Sequence, residues 1–330
     1  MFHRILVPLD GTAFGDHALP YAISIARRAG ATLELAHVHS RAATDPRLTA
    51  LSRFQSEHVE GLRARDEDET VRGEDAALEE RAADIEMRFG LRVITRVLHG
   101  STARALTREA TDTVADLVVM ATHARRGLPR LRHGDLAHHL VTRLNTPALC
   151  IRPSRGSVPV GNAAIRRILV TLDGSEFSEQ IMDRVVPLAH AIGARLALLH
   201  VVSPASLMIA GFDDLRPPIP HREEALRYLA YLAERVPAGM PDPELIAAEA
   251  GDAASAIITQ LGRSPNDALA IATHGRNGFS RVVLGSVAEQ VLRATGKPVL
   301  LYRPRLVHAI RTTGRFGEDQ AGRWRRSRPM

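Results

Sequence analysis

The second half of the chain alternates short, unbroken apolar runs with longer runs in which apolar residues recur every three or four positions. RILVTLD (Arg167–Asp173) is rich in β-branched residues and stops at Asp173-Gly174, which predicts a buried strand. Glu176–Ile192 places Ile181, Val185, Leu188, Ala189 and Ile192 on one helical face, and Gly193 follows as a C-cap. ARLALLHVV predicts a second strand, and Arg222–Val236 a helix with Leu226, Leu229, Tyr231 and Leu232 on its apolar side. ELIAAEA is a third strand, Asp252 caps a helix over Ala253–Gly262, and ALAIAT is a fourth strand. A helix starts at Ser286, and PVLLY is the fifth strand. Strict alternation of strand and helix predicts an α/β unit: a doubly wound, five-stranded parallel sheet flanked by helices on both faces, with right-handed crossovers.

The first half repeats this order. ILVPLDG (Ile5–Gly11) matches ILVTLDG (Ile168–Gly174), and LELAHVH matches LALLHVV. Asp10 and Asp173 are 163 residues apart, as are His37 and His200. Gly100 and Gly251, Thr122 and Thr273, Gly134 and Gly285, and Pro147 and Pro298 are each 151 apart. The first half therefore carries 12 extra residues between His39 and Gly100, in its second helical region, which predicts a longer or broken helix there. Within it, Arg63–Glu80 reads as a solvated surface. A long repeat with a fixed order of landmarks predicts two tandem domains, residues 1–153 and 165–304, joined by a small, polar linker at 154–164.

Residues 305–330 contain one tryptophan, few aliphatics and seven arginines, and read as a basic, disordered tail. Those arginines against Glu318 and Asp319 account for five of the chain's six net positive charges. Outside the Arg-rich tail, the charge gives no reason to expect nucleic-acid binding. The lone cysteine, Cys150, lies in the apolar strand PALCI and reads as a buried core thiol, so no intrachain disulfide forms. Met1 leads directly into a strand, and no apolar run approaches the ~20 residues that span a bilayer. The expectation is a soluble, cytoplasmic protein without a membrane span.

The candidate chemistry gathers after strands one and four. In doubly wound sheets ligands bind at the carboxyl ends of the strands, where the strand order reverses. Asp173 follows strand one and can accept a hydrogen bond from an amine edge such as that of adenine. The stretch ATHGRNGFSRVVLGS (Ala272–Ser286) follows strand four; Gly275 and Gly278 let a ligand approach main-chain N–H groups, and Gly285-Ser286 opens a helix whose N-terminus favours phosphate. Plainer readings exist for each: Asp173-Gly174 as a turn, Gly275 and Gly278 as loop formers, and Ser286 with Glu289 as a capping box. The shared crevice favours the binding reading.

These residues resemble the universal stress protein family, whose signature is Gly-x2-Gly-x9-Gly-Ser/Thr with an Asp after strand one. THGRNGFSRVVLGS and the ending PVLLYRP are similar to it, and the resemblance spans both halves, so the chain looks like a tandem member. It implies an adenine-nucleotide-binding fold with ATP, with or without Mg2+, as the ligand. The strand-one Asp and a strand-two backbone group then hold adenine, and the glycines and hydroxyl hold ribose and phosphates. Carried over, the positions are Asp173, Val201, Gly275, Gly285 and Ser286, with Gly278 and Val287 nearby; Ala272 replaces the first signature glycine. The resemblance also implies that the apolar terminal strands pair the two domains as a pseudo-dimer within the chain, and leaves open a homodimer.

The first domain departs further. It keeps Asp10, Val38 and Gly134, but Ala124 stands at the place of Gly275 and Asp135 at that of Ser286. A carboxylate 4 Å from a phosphate charge costs about 1 kcal/mol in water and about 4 kcal/mol at an effective dielectric of about 20. Asp135 still caps a helix, so this domain is expected to keep its architecture while losing the phosphate. His123, His133, His138 and His139 lie near this loop, but no Cys or carboxylate completes a metal-ligand spacing, and Arg125, Arg126, Arg130 and Arg132 read as a solvated basic loop. His37 and His200 read as core or crevice-lining residues. No Walker P-loop, no G-x-G-x-x-G after strand one and no G-x-S-x-G occurs, and the crevice shows no base–nucleophile pair. No catalytic or metal residue is therefore assigned. The leading expectation is an ATP-binding stress-response or signalling module; the alternatives are a slow adenine-nucleotide hydrolase and a nucleotide-independent interaction scaffold.

Overall fold

The computed structural model of the chain describes residues 2–39, 57–122, 140, 143–153, 163–202, 221–263, 267–273 and 285–304, with backbone only for 57–68. Residues 154–162 of the proposed linker at 154–164 and the tail at 305–330 lie outside them. The chain divides into two compact units, Met1–Ala164 and Ile165–Met330.

Unit one runs β1 (Arg4–Leu9), a 3-10 turn (Gly15–Ala18), α1 (Leu19–Ala29), β2 (Thr32–His39), α2 (Glu57–Phe89), β3 (Val93–His99), α3 (Thr102–Asp112), β4 (Leu117–Ala121) and β5 (Ala148–Ile151). Its strands lie in the order β3-β2-β1-β4-β5, all pairings parallel. Unit two runs β6 (Arg167–Thr171), α4 (Glu176–Glu179), α5 (Met182–Ile192), β7 (Arg195–Val202), α6 (Arg222–Ala233), β8 (Glu244–Glu249), α7 (Ala253–Leu261), β9 (Asp267–Ala272), α8 (Ser286–Ala294) and β10 (Val299–Tyr302). Its order is β8-β7-β6-β9-β10, again parallel throughout. The strand order reverses beside β1 in one unit and beside β6 in the other, which creates the expected switch point twice.

The strands are contiguous apolar runs because helices cover both faces of a parallel sheet. Ile168, Leu169 and Val170 of β6 and Ala268–Ile271 of β9 are buried. Ile181, Val185, Leu188, Ala189 and Ile192 all point into this core. Gly193 ends α5 at φ +64, in the left-handed region, and its N–H returns to the Ala189 carbonyl. Asp252 caps α7 by accepting from Ser255 N.

Three details depart from the sequence reading. The helix expected over Glu176–Ile192 breaks at Gln180-Ile181 into α4 and α5. Ser175 caps α4 through Ser178 N, while Ser178 Oγ returns to Ser175 O, so the first turn is closed by hydroxyls. Helix α6 ends at Ala233 rather than Val236, and Tyr231 is exposed while Ala225, Leu229 and Leu232 are buried. The region of the 12-residue excess in unit one holds α2, a single helix of 33 residues, the longer of the two forms expected there. The stretch Arg63–Glu80 is not uniformly solvated, because Leu78 is buried and begins the inward stripe Leu78–Ala82–Ile85.

Candidate functional site

Two loops leave the carboxyl edge of unit two side by side, because β6 pairs directly with β9. The first carries Asp173. Its Oδ1 accepts from Ser175 N at 3.0 Å and Ser175 Oγ at 2.6 Å, its own N–H donates to Ser178 Oγ at 3.2 Å, and Gly174 adopts φ +88. This turn holds the carboxylate at the edge of the sheet. Unit one repeats it: Asp10 Oδ1 accepts from Thr12 N at 3.0 Å and Thr12 Oγ1 at 2.6 Å, with Gly11 at φ +74.

Val201 lies at the carboxyl end of β7, beside that turn. His200 ties the two strands together: its Nδ1 donates to the Leu172 carbonyl at 2.7 Å, as a carbonyl partner requires. The Leu172 N–H in turn reaches Leu199 O at 2.9 Å. His37 makes the same strap in unit one, to Leu9 O at 2.9 Å, next to Val38. The paired histidines therefore line the strand ends.

The second loop begins at Ala272, whose register partner is Tyr302, and at Thr273, which is fully buried with its N–H on Tyr302 O at 2.8 Å. The chain returns at Gly285, whose N–H donates to Thr273 O at 2.7 Å. A Cβ at Gly285 would lie 2.6 Å from that same carbonyl oxygen. Gly285 has φ −54, so close approach and not an unusual dihedral demands the glycine here. The loop's two ends are thus clamped together, and the start of α8 sits against the end of β9. The first-turn N–H groups at Ser286 and Val287 lie at the positive end of this helix's dipole. Ser286 is not the N-cap: Gly285 takes that position, and Glu289 turns to Arg293 at 2.5 Å instead of reaching back to complete a capping box. Gly275, Gly278 and, in unit one, Ala124, Gly134 and Asp135 lie outside the described residues, as do His123, His133, His138 and His139.

Unit one contains a contact that the sequence reading placed on the solvated surface. Glu74 of α2 spans two histidines on β2, with Oε1 3.4 Å from His37 Nε2 and Oε2 2.9 Å from His39 Nδ1. The His39 ring also meets His99 edge-on. In unit two His200, the equivalent of His37, meets the Tyr228 ring edge-on. No sequence spacing announces Glu74, since it is 35 residues from His39 and belongs to the longer helix. Among the described residues no group of three or more His, Cys, Asp or Glu could hold a metal ion. Cys150 is buried, and burial pushes its thiol up to about 12. Among the described residues no helix is long and apolar enough to cross a membrane.

The model of the universal stress protein family matches the chain twice, at residues 1–152 and 164–303. A universal stress protein of Mycolicibacterium smegmatis is 27% identical over 219 residues, covering 66% of this chain and 70% of its own. The solved structure of a universal stress protein from Archaeoglobus fulgidus covers 91% of this chain and 96% of its own, with a TM-score of 0.65 and 15% identity. A universal stress protein solved in complex with cAMP aligns with 46% of this chain and 98% of its own, at 18% identity and a TM-score of 0.34. With two family matches spanning both units, on a duplicated α/β frame with the same switch-point turn in each, the chain belongs to the universal stress protein family.

Proposed function

We propose that unit two binds an adenine nucleotide, ATP, and that the protein acts as a nucleotide-responsive stress-response module rather than as an efficient catalyst. In this reading Asp173 and the Val201 backbone receive adenine, while Ala272, Gly275, Gly278, Gly285, Ser286 and Val287 surround ribose and phosphates. The observation that carries it is Gly285. Its missing Cβ lets the N-terminus of α8 come down onto the end of β9, across one strand boundary from Asp173. That arrangement suits an anion, because a helix start offers unpaired N–H groups and a positive partial charge. The residues present fit such a ligand: an acceptor for the amine edge at one loop, and donors for phosphate at the other. ATP, with or without Mg2+, supplies a charge-dense ligand that can bias the conformation of the loop between Thr273 and Gly285.

Unit one keeps the Asp10 turn and the His37 strap, but its sequence carries Ala124 and Asp135 at the positions of Gly275 and Ser286. We assign it a structural role, or a ligand without phosphate. The single buried cysteine suits a reducing, cytoplasmic setting. Isothermal titration of the full chain with ATP is the test. One site per chain is expected, and Asp173→Ala should remove it; two equivalent sites, or no heat and no nucleotide in the supernatant of denatured protein, would overturn the assignment.

A further inference from the structure

Strand β2 carries a carboxylate where a parallel strand normally carries an apolar side chain. Glu34 is completely buried, between Leu6 of β1 and Ile94 of β3 in register. Alternate residues of a strand share a face. Arg4, paired with Thr32, and Arg96, paired with Ala36, therefore lie on the same face of the sheet as Glu34. Helix α3 packs on β2 and β3 and brings Glu109 to this face. Among the described residues, the charged groups around Glu34 are Arg4 from β1 and Glu109 from α3, with Arg96 from β3 behind Glu109. Arg4 Nη1 donates to Glu34 Oε2 at 3.2 Å, and Arg96 Nε lies 3.6 Å from Glu109 Oε1. The other oxygen, Glu34 Oε1, is buried without a hydrogen-bond partner among the described residues, and the Glu109 carboxyl adjoins the Glu34 carboxyl.

Two adjoining carboxylates in a buried site do not both stay ionised. Glu109 starts the last turn of α3, so the proton also bears on how the end of this helix meets the sheet. A single proton resolves the conflict: it turns Glu34 Oε1 into a donor and Glu109 into its acceptor. We propose that Glu34 and Glu109 share one proton, that this proton docks α3 on the sheet of unit one, and that its loss loosens the helix. Burial, and then Glu109, push the Glu34 carboxyl from 4.5 up to about 7, against the opposing pull of Arg4. A carboxyl raised on folding stabilises fully below its unfolded value, and that stabilisation drains away as the pH climbs to the folded value. The window is therefore about pH 4.5 to 7, and one proton changes the docking equilibrium by up to about tenfold per pH unit within it. The N-terminal side of α3 meets the carboxyl edge of the sheet in this unit, because Gly100 N–H reaches His39 O at 3.4 Å. Undocking is thus felt beside the His39–Glu74 contact.

Unit two supplies a built-in comparison. The repeat places Ala197 at the position of Glu34, Gln260 at that of Glu109 and Arg167 at that of Arg4. Arg167 there serves Glu244 at 3.0 Å and Asp267 at 2.8 Å. Helix α7 accordingly docks without a carboxyl pair.

Hydrogen exchange of the full chain, read by mass spectrometry between about pH 5 and pH 7.5 and corrected for the intrinsic exchange rate, tests this. Peptides covering α3 are expected to lose protection by up to about tenfold per pH unit, while peptides covering α7 hold theirs. Glu34→Gln, whose amide can donate to Glu109 without titrating, should flatten the α3 profile; Glu109→Gln should move the window to lower pH. An α3 profile parallel to that of α7, or a Glu34→Gln profile that keeps the wild-type slope, would overturn the proposal. Should Glu34→Gln fail to fold, carboxyl carbon NMR of the unmodified protein decides: titration of Glu34 in the usual carboxylate range refutes the shared proton.

Discussion

Replacing Gly285 with alanine tests the site at the point where sequence, packing and ligand meet. The added Cβ would stand 2.6 Å from Thr273 O, well inside ordinary contact distance, and the oxygen belongs to the backbone of a buried residue that cannot swing away. The φ of −54 is comfortable for alanine, so no dihedral strain enters. The cost is steric. Either the Gly285–Thr273 hydrogen bond, 2.7 Å long, is given up at about 0.5–1.5 kcal/mol net, or the strand end shifts at the ~1–3 kcal/mol typical of overpacking. Against this, the smaller entropy of unfolded alanine returns about 0.4–1 kcal/mol. The net expectation is about 1–3 kcal/mol of lost stability in unit two, with the start of α8 pushed off β9 and ATP affinity reduced at least tenfold. Gly262→Ala is the control: its Cβ meets Ile258 O at 3.6 Å, an ordinary contact, so it should be neutral or stabilising. Urea unfolding followed by circular dichroism reads stability, and calorimetric titration reads affinity. If Gly285→Ala is as stable as Gly262→Ala and binds ATP as tightly as the wild type, the clamp is not what builds the site. A destabilised variant with unchanged affinity would leave Gly285 structural and remove the anion site from the start of α8.

Three further outcomes are expected. Ser286→Asp sets a carboxylate at the helix start beside the proposed phosphates; at about 1–4 kcal/mol of repulsion, ATP affinity should fall from several-fold to about a thousandfold while the circular dichroism spectrum is unchanged. Val114, exposed at φ +52, is a β-branched residue in the left-handed region, so Val114→Gly should raise the stability of unit one by about 0.5–1 kcal/mol, seen as a higher urea midpoint. His200→Phe removes the donor to Leu172 O and should cost about 1–3 kcal/mol in urea unfolding, together with weaker ATP binding as the Asp173 and Val201 strands lose their strap.

The parts of the fold legible in the sequence are those in which one physical demand acts on consecutive residues. A strand covered on both faces must be apolar throughout, so RILVTLD and ALAIAT announce β6 and β9 within one or two residues. The capping roles of Gly193 and Asp252 were also legible, because each satisfies a local backbone need. What escaped depended on partners distant in sequence or on competition between local bonds. The S-x-x-E pattern at Ser286 is a sound capping box in isolation, yet Gly285 takes the cap because the tertiary bond to Thr273 O fixes where the helix begins. Glu74 looks like any other acid on a charged helix until His37 and His39 are placed against it. The break between α4 and α5 escaped because Ser175 and Ser178 can cap a turn or continue a helix with nearly equal ease.

The duplication separates what the frame needs from what the site needs. Both units keep the Asp turn, with Oδ1 on a hydroxyl two residues on at 2.6 Å, and both keep the strand-two histidine on the last carbonyl of strand one. Both keep a buried threonine after strand four whose N–H reaches the fifth strand at 2.8 Å, Thr122 in one and Thr273 in the other. A feature kept in a unit whose sequence carries Asp135 and in one that carries Ser286 at the same place is explained by holding strand ends together. On that reasoning Asp10 and Asp173 are first of all turn formers, and what distinguishes the units in sequence is Ala124 and Asp135 in one against Gly275 and Ser286 in the other. The comparison also yields an asymmetric expectation: Asp173→Asn, which keeps an acceptor for Ser175, should preserve stability and change adenine selectivity. Asp173→Ala, in contrast, should lose both the turn and the ligand.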